Sequence, residues 1–353
     1  MAAPIADLDH RPEPQAFPGR RSPAAELRDA VVVNHRTRLS PPLFIFALPR
    51  SFTSLVGAML GQHPQLLGMP ETHLLCEPTV GAWLERAARA PWPMSHGLVR
   101  AVAQLYFGAQ DERAVGWALD WLRARAGLGT EQLFKLLVDR VHPLHVVDKS
   151  PSTIDSVESM QRAYEWFPDA HFLHLVRHPR GYGESIMTLA ERKLRRQAIP
   201  SGHWIVQIAS DPRADHQVAE DEPVVLDPQH GWYARNVMIR DFMASLPADQ
   251  RLVLRGEDML LEPDATLRTV AQWLGVRSDE RAIDDMKHPE RSPFAFLGPP
   301  RARYGNDGIF LEHPALCPSR GQVGGLAGSV SWRPKRQGFL PHVKSLAGEL
   351  GYS

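Results

Sequence analysis

Four short segments of this chain hold residue types that could grip a phosphate-bearing ligand and move a proton. The first is LPRSFTS (48–54), which follows a compact apolar run and precedes a helical pattern. Backbone N–H groups at such a strand-to-helix junction, with the positive end of the helix dipole, attract anions. Arg50 adds a fixed charge, and Ser51, Thr53 and Ser54 add hydroxyl donors. The plainer alternative is a strand–turn–helix junction whose serines and threonine merely cap the helix. The second segment is LHLVRHPRGYGES (173–185), where Arg177 ends an apolar run and Ser185 lies on the following helical stretch. The carboxyl edge of a parallel sheet is where ligand crevices open, so this pair suits a second phosphate; otherwise both are solvated surface groups.

The third segment, VVDKSP (146–151), puts Lys149 at another strand end, in a chain with six lysines and many more arginines. A compact ammonium there could neutralise charge growing on a leaving phosphate oxygen, or simply pair with Asp148. The fourth, MPETHLL (69–75), reads as extended, which turns Glu71 and His73 to one side. Either could take the proton of an attacking hydroxyl; equally, they could be a surface carboxylate and a satisfied histidine. The first loop lacks the GK[ST] of a Walker A motif, which disfavours a magnesium-dependent ATPase or GTPase.

Positioning these groups requires buried strands that end beside one another. LFIFAL (43–48), LHVVDK (144–149), HFLHLV (171–176) and RLVLR (251–255) read as such strands. SLVGAMLGQH (54–63), SVESMQRAYEWF (156–167), GYGESIMTLAERKLRR (181–196), GWYARNVMIRDFMASL (231–246) and DATLRTVAQWLG (264–275) read as helices. Residues 77–137 form a largely helical insertion, with apolar residues such as Trp83, Leu98, Leu105 and Trp121 spaced for packing. Strands alternating with helices predict an α/β fold with a mainly parallel central sheet flanked by helices. Residues 1–38 form a polar, proline-rich arm and lead-in, 197–228 a lid-like interval, and 289–328 a Gly-, Pro- and Arg-rich stretch expected to lie over the surface.

Bulk properties narrow the classes. Lys+Arg and Asp+Glu are both 40, so formal net charge is zero, and neither nucleic acid nor an acidic membrane is expected as a partner. Cys76 and Cys317 stand far apart without a CxxC or Cys/His cluster, which disfavours a disulfide framework or structural metal and suits a cytoplasmic protein. The N-terminus carries acids and prolines instead of a signal-peptide core.

Taken together, FIFALPRSFTSLVGAMLGQHPQLLGMPETHLL (44–75), VVDKSPSTIDSVESMQRAYEWFPDAHFLHLVRHPRGYGES (146–185) and, more weakly, LRGEDMLLEPDATLRTVAQWLGV (254–276) resemble the PAPS-dependent sulfotransferase family. The resemblance implies a P-loop-nucleotide-kinase-like fold with helical insertions, as one domain over 39–353, and a metal-free transfer of a sulfuryl group from 3′-phosphoadenosine 5′-phosphosulfate (PAPS) to a hydroxyl. It assigns Arg50, Ser51, Phe52, Thr53 and Ser54 to the 5′-phosphosulfate, and Arg177 and Ser185 to the 3′-phosphate. Lys149 becomes a transition-state stabiliser, Glu71 the catalytic carboxylate and His73 a second base. Arg301, Arg303 and Tyr304 are expected to close over the nucleotide. Phe52 departs from the family's PRSGTT pattern, in which glycine holds that position; a positive φ there would strain it. The layout, with HPERSPFAFLGPPRARYGND (288–307), also looks like the sulfotransferase domains of polyketide synthases, here as a free-standing copy. That implies a hydroxyl on an acyl-carrier-protein-bound chain, or on a small molecule, as acceptor. The rivals are a phosphotransferase with a degenerate phosphate loop and a non-catalytic module that binds nucleotide or carrier protein.

Overall fold

The computed structural model describes residues 39–194, 226–322, 324–333 and 337–353. The N-terminal arm and most of the 197–228 interval lie outside the described residues. Five strands form one fully parallel sheet: β1 (Leu43–Phe46), β2 (Leu66–Gly68), β3 (His145–Asp148), β4 (His171–Val176) and β5 (Arg251–Arg255). Their order is β2-β3-β1-β4-β5, so the earliest strand is central and the chain builds outward to both sides of it. Leu43 pairs with Val147 on one side and His171 on the other. This register ends β1, β3 and β4 side by side.

A sheet buried on both faces needs apolar side chains at successive positions, and β1 supplies them. Phe44 and Phe46 point into one core with Val146 and Phe172, while Leu43 and Ile45 join Val147, Leu173 and Leu175 in the other. The first core is the larger. It takes the helical insertion, α2 (Val80–Arg89), α3 (His96–Val102), α4 (Glu112–Arg123) and α5 (Thr130–Val141), together with α6 (Val157–Trp166) and α8 (Pro228–Ala244). The second is covered by α1 (Thr53–Leu60), α10 (Pro263–Leu274) and α11 (Glu280–Met286). α7 (Pro179–Leu194) follows β4 and joins the first core through Tyr182, Ile186 and Ala190, and α9 (Gly256–Leu261) follows β5 and joins the second through Met259 and Leu260. No described helix is long and apolar enough to cross a membrane.

Two expectations need correction. The Ser51–Ser54 hydroxyls do not cap α1: Phe52 occupies the N-cap position, and no side chain accepts a cap hydrogen bond there. Nor does the 289–328 stretch simply lie over the surface. Ala295, Phe310 and Leu311 enter one core and Ala302 the other. Its polar groups are anchored as well, because buried Arg100 donates from Nη1 to the Tyr304 carbonyl at 2.9 Å and Asn306 Nδ2 donates to Phe294 O at 2.9 Å. Glycine and proline content signals irregular backbone, not exposure, and the few apolar residues among them decide the depth.

The crossing of α1 over β2 is closer than any side chain permits. A Cβ on Gly68 would collide with the Gly57 carbonyl, and one on Gly61 would stand 2.5 Å from Gly68 N. Overpacked interiors lose stability by about 1–3 kcal/mol. Gly68→Ala is therefore expected to lower the unfolding midpoint in urea by a corresponding amount, and an unchanged midpoint would contradict this backbone contact.

Candidate functional site

All five strands run in parallel, so their carboxyl ends share one edge of the sheet, and the central three deliver the expected charged groups there. The turn after β1 carries Arg50, β3 leads directly into Lys149, and β4 into Arg177. This is the reversal point of strand order, where α/β sheets open a crevice.

The β1 turn is conformationally costly. Arg50 has φ 72° and Phe52 φ 63°, both left-handed, the region that favours glycine. Each such residue costs about 1–3 kcal/mol unless the surroundings hold it. The Phe52 ring is held: it packs against Gly256, where a Cβ would come within 2.6 Å of the ring, and the Arg177 guanidinium stacks over it at 4.4 Å. The strain anticipated for a phenylalanine in the glycine position is thus present, and is compensated by an aromatic contact that a glycine could not make.

Arg50 and Arg177 meet across this turn. Arg177 Nη1 donates to the Arg50 carbonyl at 2.5 Å, and Arg50 Nε donates to Ser185 Oγ at 3.1 Å. Arg50 Nη1 forms an ion pair with Asp307, whose backbone N–H donates to Ser54 Oγ at 3.0 Å. Arg177 Nε is buried with no hydrogen-bond partner. Burial lowers the Arg177 guanidinium to about 10, still charged at neutral pH, and burial, then Arg192, lowers Arg50. The two arginines line an open cleft of about 260 Å³ with Gly181, Glu184, Ser185, Thr188, Leu189, Arg192 and Ile309. An orphaned guanidinium N–H beside a serine hydroxyl suits an anion's oxygen.

Within electrostatic reach of Arg50 stands a second charged group, Glu71 with Lys149. Lys149, whose side chain is 1% exposed, donates from Nζ to Glu71 Oε1 at 3.2 Å. Its stem passes over Gly57, where a Cβ would come within 3.0 Å of Lys149 Cδ. His73 Nε2 lies 3.7 Å from Glu71 Oε2, and His73 Nδ1 shares a hydrogen bond with Ser152 Oγ at 2.9 Å. The two side chains do converge, but the segment is not uniformly extended: His73 has φ 54°. Buried Asp148 explains how that turn is held. Its carboxylate accepts from Thr72 Oγ1 at 2.8 Å and from Ser150 N at 3.0 Å, while Ser150 Oγ accepts from the backbone N–H groups of Thr72 and His73, each at 2.9 Å. Asp148 is thus committed to the backbone turn, and Lys149 pairs with Glu71 instead of its sequence neighbour.

Burial alone would raise the Glu71 carboxyl, but Lys149 and then His73 outweigh it and hold it at about 2. Its backbone N–H donates to Gly305 O at 2.8 Å, and Gly97 packs so tightly that a Cβ would strike the Glu71 carbonyl. The Glu71 backbone is thus held by Gly305 and Gly97 while Lys149 and His73 hold its carboxylate, whose field reaches Arg50.

The sheet edge thus gathers Arg50, Ser51, Phe52, Thr53, Ser54, Glu71, His73, Lys149, Arg177 and Ser185 into one neighbourhood. It does not bring Arg301, Arg303 or Tyr304 to the cleft: Arg301 pairs with Glu112 at 3.1 Å, Tyr304 stacks on His96, and Arg303 is exposed elsewhere. Sequence reasoning missed Asp307, Ser150, Thr72 and Arg192. Only Arg192 had a legible signal, seven residues beyond Ser185 on the same helical face. Among the described residues, no group of three or more His, Cys, Asp or Glu side chains converges to hold a metal.

The depressed Glu71 carboxyl has a sign that can be tested. Its stabilising contribution is complete above the ordinary value of 4.5 and disappears as pH falls toward 2. Removing the ammonium in Lys149→Met leaves burial opposed only by His73. The carboxyl should then move up from about 2, toward or past 4.5, in a ¹³C NMR titration. A value still near 2 would show that Lys149 does not set it.

With this geometry established, comparison with known proteins is informative. Residues 41–280 match the model of the sulfotransferase family. The sulfotransferase domain from the curacin biosynthetic pathway aligns with a TM-score of 0.65 at 21% identity, over 90% of this chain and 99% of that one. The sulfotransferase domain from the Synechococcus PCC 7002 olefin synthase aligns with a TM-score of 0.63 at 23% identity, over 92% and 99%. No curated protein sequence matches the chain. The family match spans all five strands, the turn after β1, and Lys149 and Arg177 at the ends of β3 and β4, and the chain belongs to the sulfotransferase family.

Proposed function

We propose that the protein transfers a sulfuryl group from PAPS to a hydroxyl, with Glu71 as the general base. The observation that carries this reading is the Glu71–Lys149 pair, within electrostatic reach of Arg50 in an arginine-lined cleft that has an unsatisfied buried N–H. When bound, the donor supplies an electrophilic sulfuryl group and a phosphate leaving group. Arg177 and Ser185 would hold the 3′-phosphate, a group that ATP lacks, and the 50–54 turn the 5′ end. Transfer of a sulfuryl group depends chiefly on alignment and on a sink for charge at the leaving oxygen.

The chain's own residues divide that work. Glu71 accepts the proton of the acceptor hydroxyl at a carboxylate oxygen. Its resting value near 2 makes it a poor base while Lys149 remains on it. In this reading Lys149 turns from the carboxylate to a developing negative charge on the donor side. As it does, the carboxylate gains basicity when the hydroxyl must lose its proton. His73, fixed by Ser152 and the Asp148 turn, orients the carboxylate and shares the proton.

The acceptor we favour is a hydroxyl on an acyl chain, carried by an acyl carrier protein. This rests on the similarity to domains from the curacin pathway and an olefin synthase. The catalytic unit on this reading spans residues 39–353.

Turnover and nucleotide binding should separate the roles. Glu71→Gln is expected to lower turnover by roughly 10²–10⁴-fold with PAPS affinity nearly unchanged, whereas Lys149→Ala slows turnover and also weakens PAPS binding. Wild-type protein should bind PAPS far better than ATP in calorimetry. Normal turnover by Glu71→Gln would move the base elsewhere, to His73 if His73→Ala is inactive. Equal affinity for ATP and PAPS would refute the donor assignment.

A further inference from the structure

The donor cleft contains a third guanidinium that the family motifs do not assign. On α7, Gly181, Ser185, Thr188 and Arg192 recur at helical spacing along one face, and all four line the cleft that Arg50 and Arg177 enter from the sheet edge. Arg192 is exposed and makes no ion pair among the described residues. It stands close enough to Arg50 for the two positive charges to oppose each other. An anion bound between two such like charges relieves their mutual repulsion, so the pair favours an anionic ligand.

A charge count sharpens this. Arg50 is already matched by Asp307. Burial lowers Arg177, while Glu257 and then Glu184, the latter on the cleft wall, favour its charged form. Of the charged residues that line the cleft, Arg50, Arg177 and Arg192 are cations and Glu184 is an anion, so with Asp307 on Arg50 it is Arg192 that adds a cation with no ion-pair partner among the described residues. The surplus charge lies on the same helical face as Ser185, two turns further on, and not in the 50–54 turn. We propose that Arg192 is a specificity-determining residue of the donor site, joining Arg177 and Ser185 on the 3′-phosphate. It thereby favours a nucleotide phosphorylated at both ends over one phosphorylated only at the 5′ end. This rests on the PAPS reading above and extends it to a residue outside the family pattern.

Calorimetry with adenosine 3′,5′-bisphosphate and with 5′-AMP provides the test, on the wild-type chain, Arg192→Ala and Arg192→Lys. Because Arg192 is exposed and has no hydrogen bond or ion pair among the described residues, both variants should unfold at the wild-type temperature, which circular dichroism would check. Loss of a charge-assisted phosphate contact is expected to weaken bisphosphate binding by about tenfold or more in Arg192→Ala, with 5′-AMP changed by less than about twofold. Arg192→Lys should recover part of the loss, since the charge remains but the planar fork does not. An equal loss for both nucleotides, or none for either, overturns the role of Arg192 while leaving the donor assignment standing. A wild-type chain that binds the bisphosphate no better than 5′-AMP overturns the donor assignment itself, and this inference with it.

Discussion

An ammonium with only 1% of its side chain exposed must have an anion close by, and for Lys149 that anion is Glu71. A buried charge stripped of its partner is strongly destabilising, so the pair constrains everything around it. It fixes where the 69–75 segment must run, beside the carboxyl end of β3, while the Lys149 stem lies against α1 at Gly57. It also explains why Asp148, next in sequence to the lysine, does not take the ion pair. That carboxylate is needed beneath, where Thr72 and Ser150 tie the left-handed turn at His73 to the strand end. Gly97 completes the arrangement by letting the Glu71 backbone approach more closely than any side chain would allow, and Gly305, itself packed tightly on Gly97, accepts the Glu71 N–H.

The same logic of compensated cost runs through the neighbouring cleft. Arg50, Phe52 and His73 are the non-glycine residues with positive φ among the described residues, and all three sit at the site. Backbone strain of this kind persists where surrounding contacts over-determine it. Here those contacts are the Phe52 ring between Gly256 and Arg177, the Arg177 hydrogen bond to the Arg50 carbonyl, and the Ser150 hydroxyl beneath His73. The parallel register makes this possible, since it ends β1, β3 and β4 together and lets three separate segments meet.

Much of this was legible before any coordinates. The apolar runs at 43–48, 144–149, 171–176 and 251–255 became strands because uninterrupted bulky residues suit a sheet buried on both faces, and the order of phosphate-type loop, Glu71, Lys149 and Arg177 pointed to one crevice. What stayed hidden depends on partners distant in sequence. Asp307 reaches Arg50 across more than 250 residues, and its segment reads as loose surface until Phe310 and Leu311 are seen in the core. The strand Leu66–Gly68 is too short for its apolar pattern to mark it. The serine and threonine hydroxyls of the 51–54 turn looked like helix caps, since capping chemistry is local, but the long-range tie from Asp307 claims Ser54 instead.

The central claim is that one lysine serves two anions in turn, holding Glu71 quiet at rest and turning to the donor's phosphate when the donor is present. The most direct measurement is a ¹³C NMR titration of the Glu71 carboxyl in the wild-type chain, with and without saturating adenosine 3′,5′-bisphosphate. The account predicts that the carboxyl, near 2 in the free protein, moves upward when the nucleotide is bound, because Lys149 is then shared. A carboxyl that stays near 2 with the nucleotide in place would contradict it.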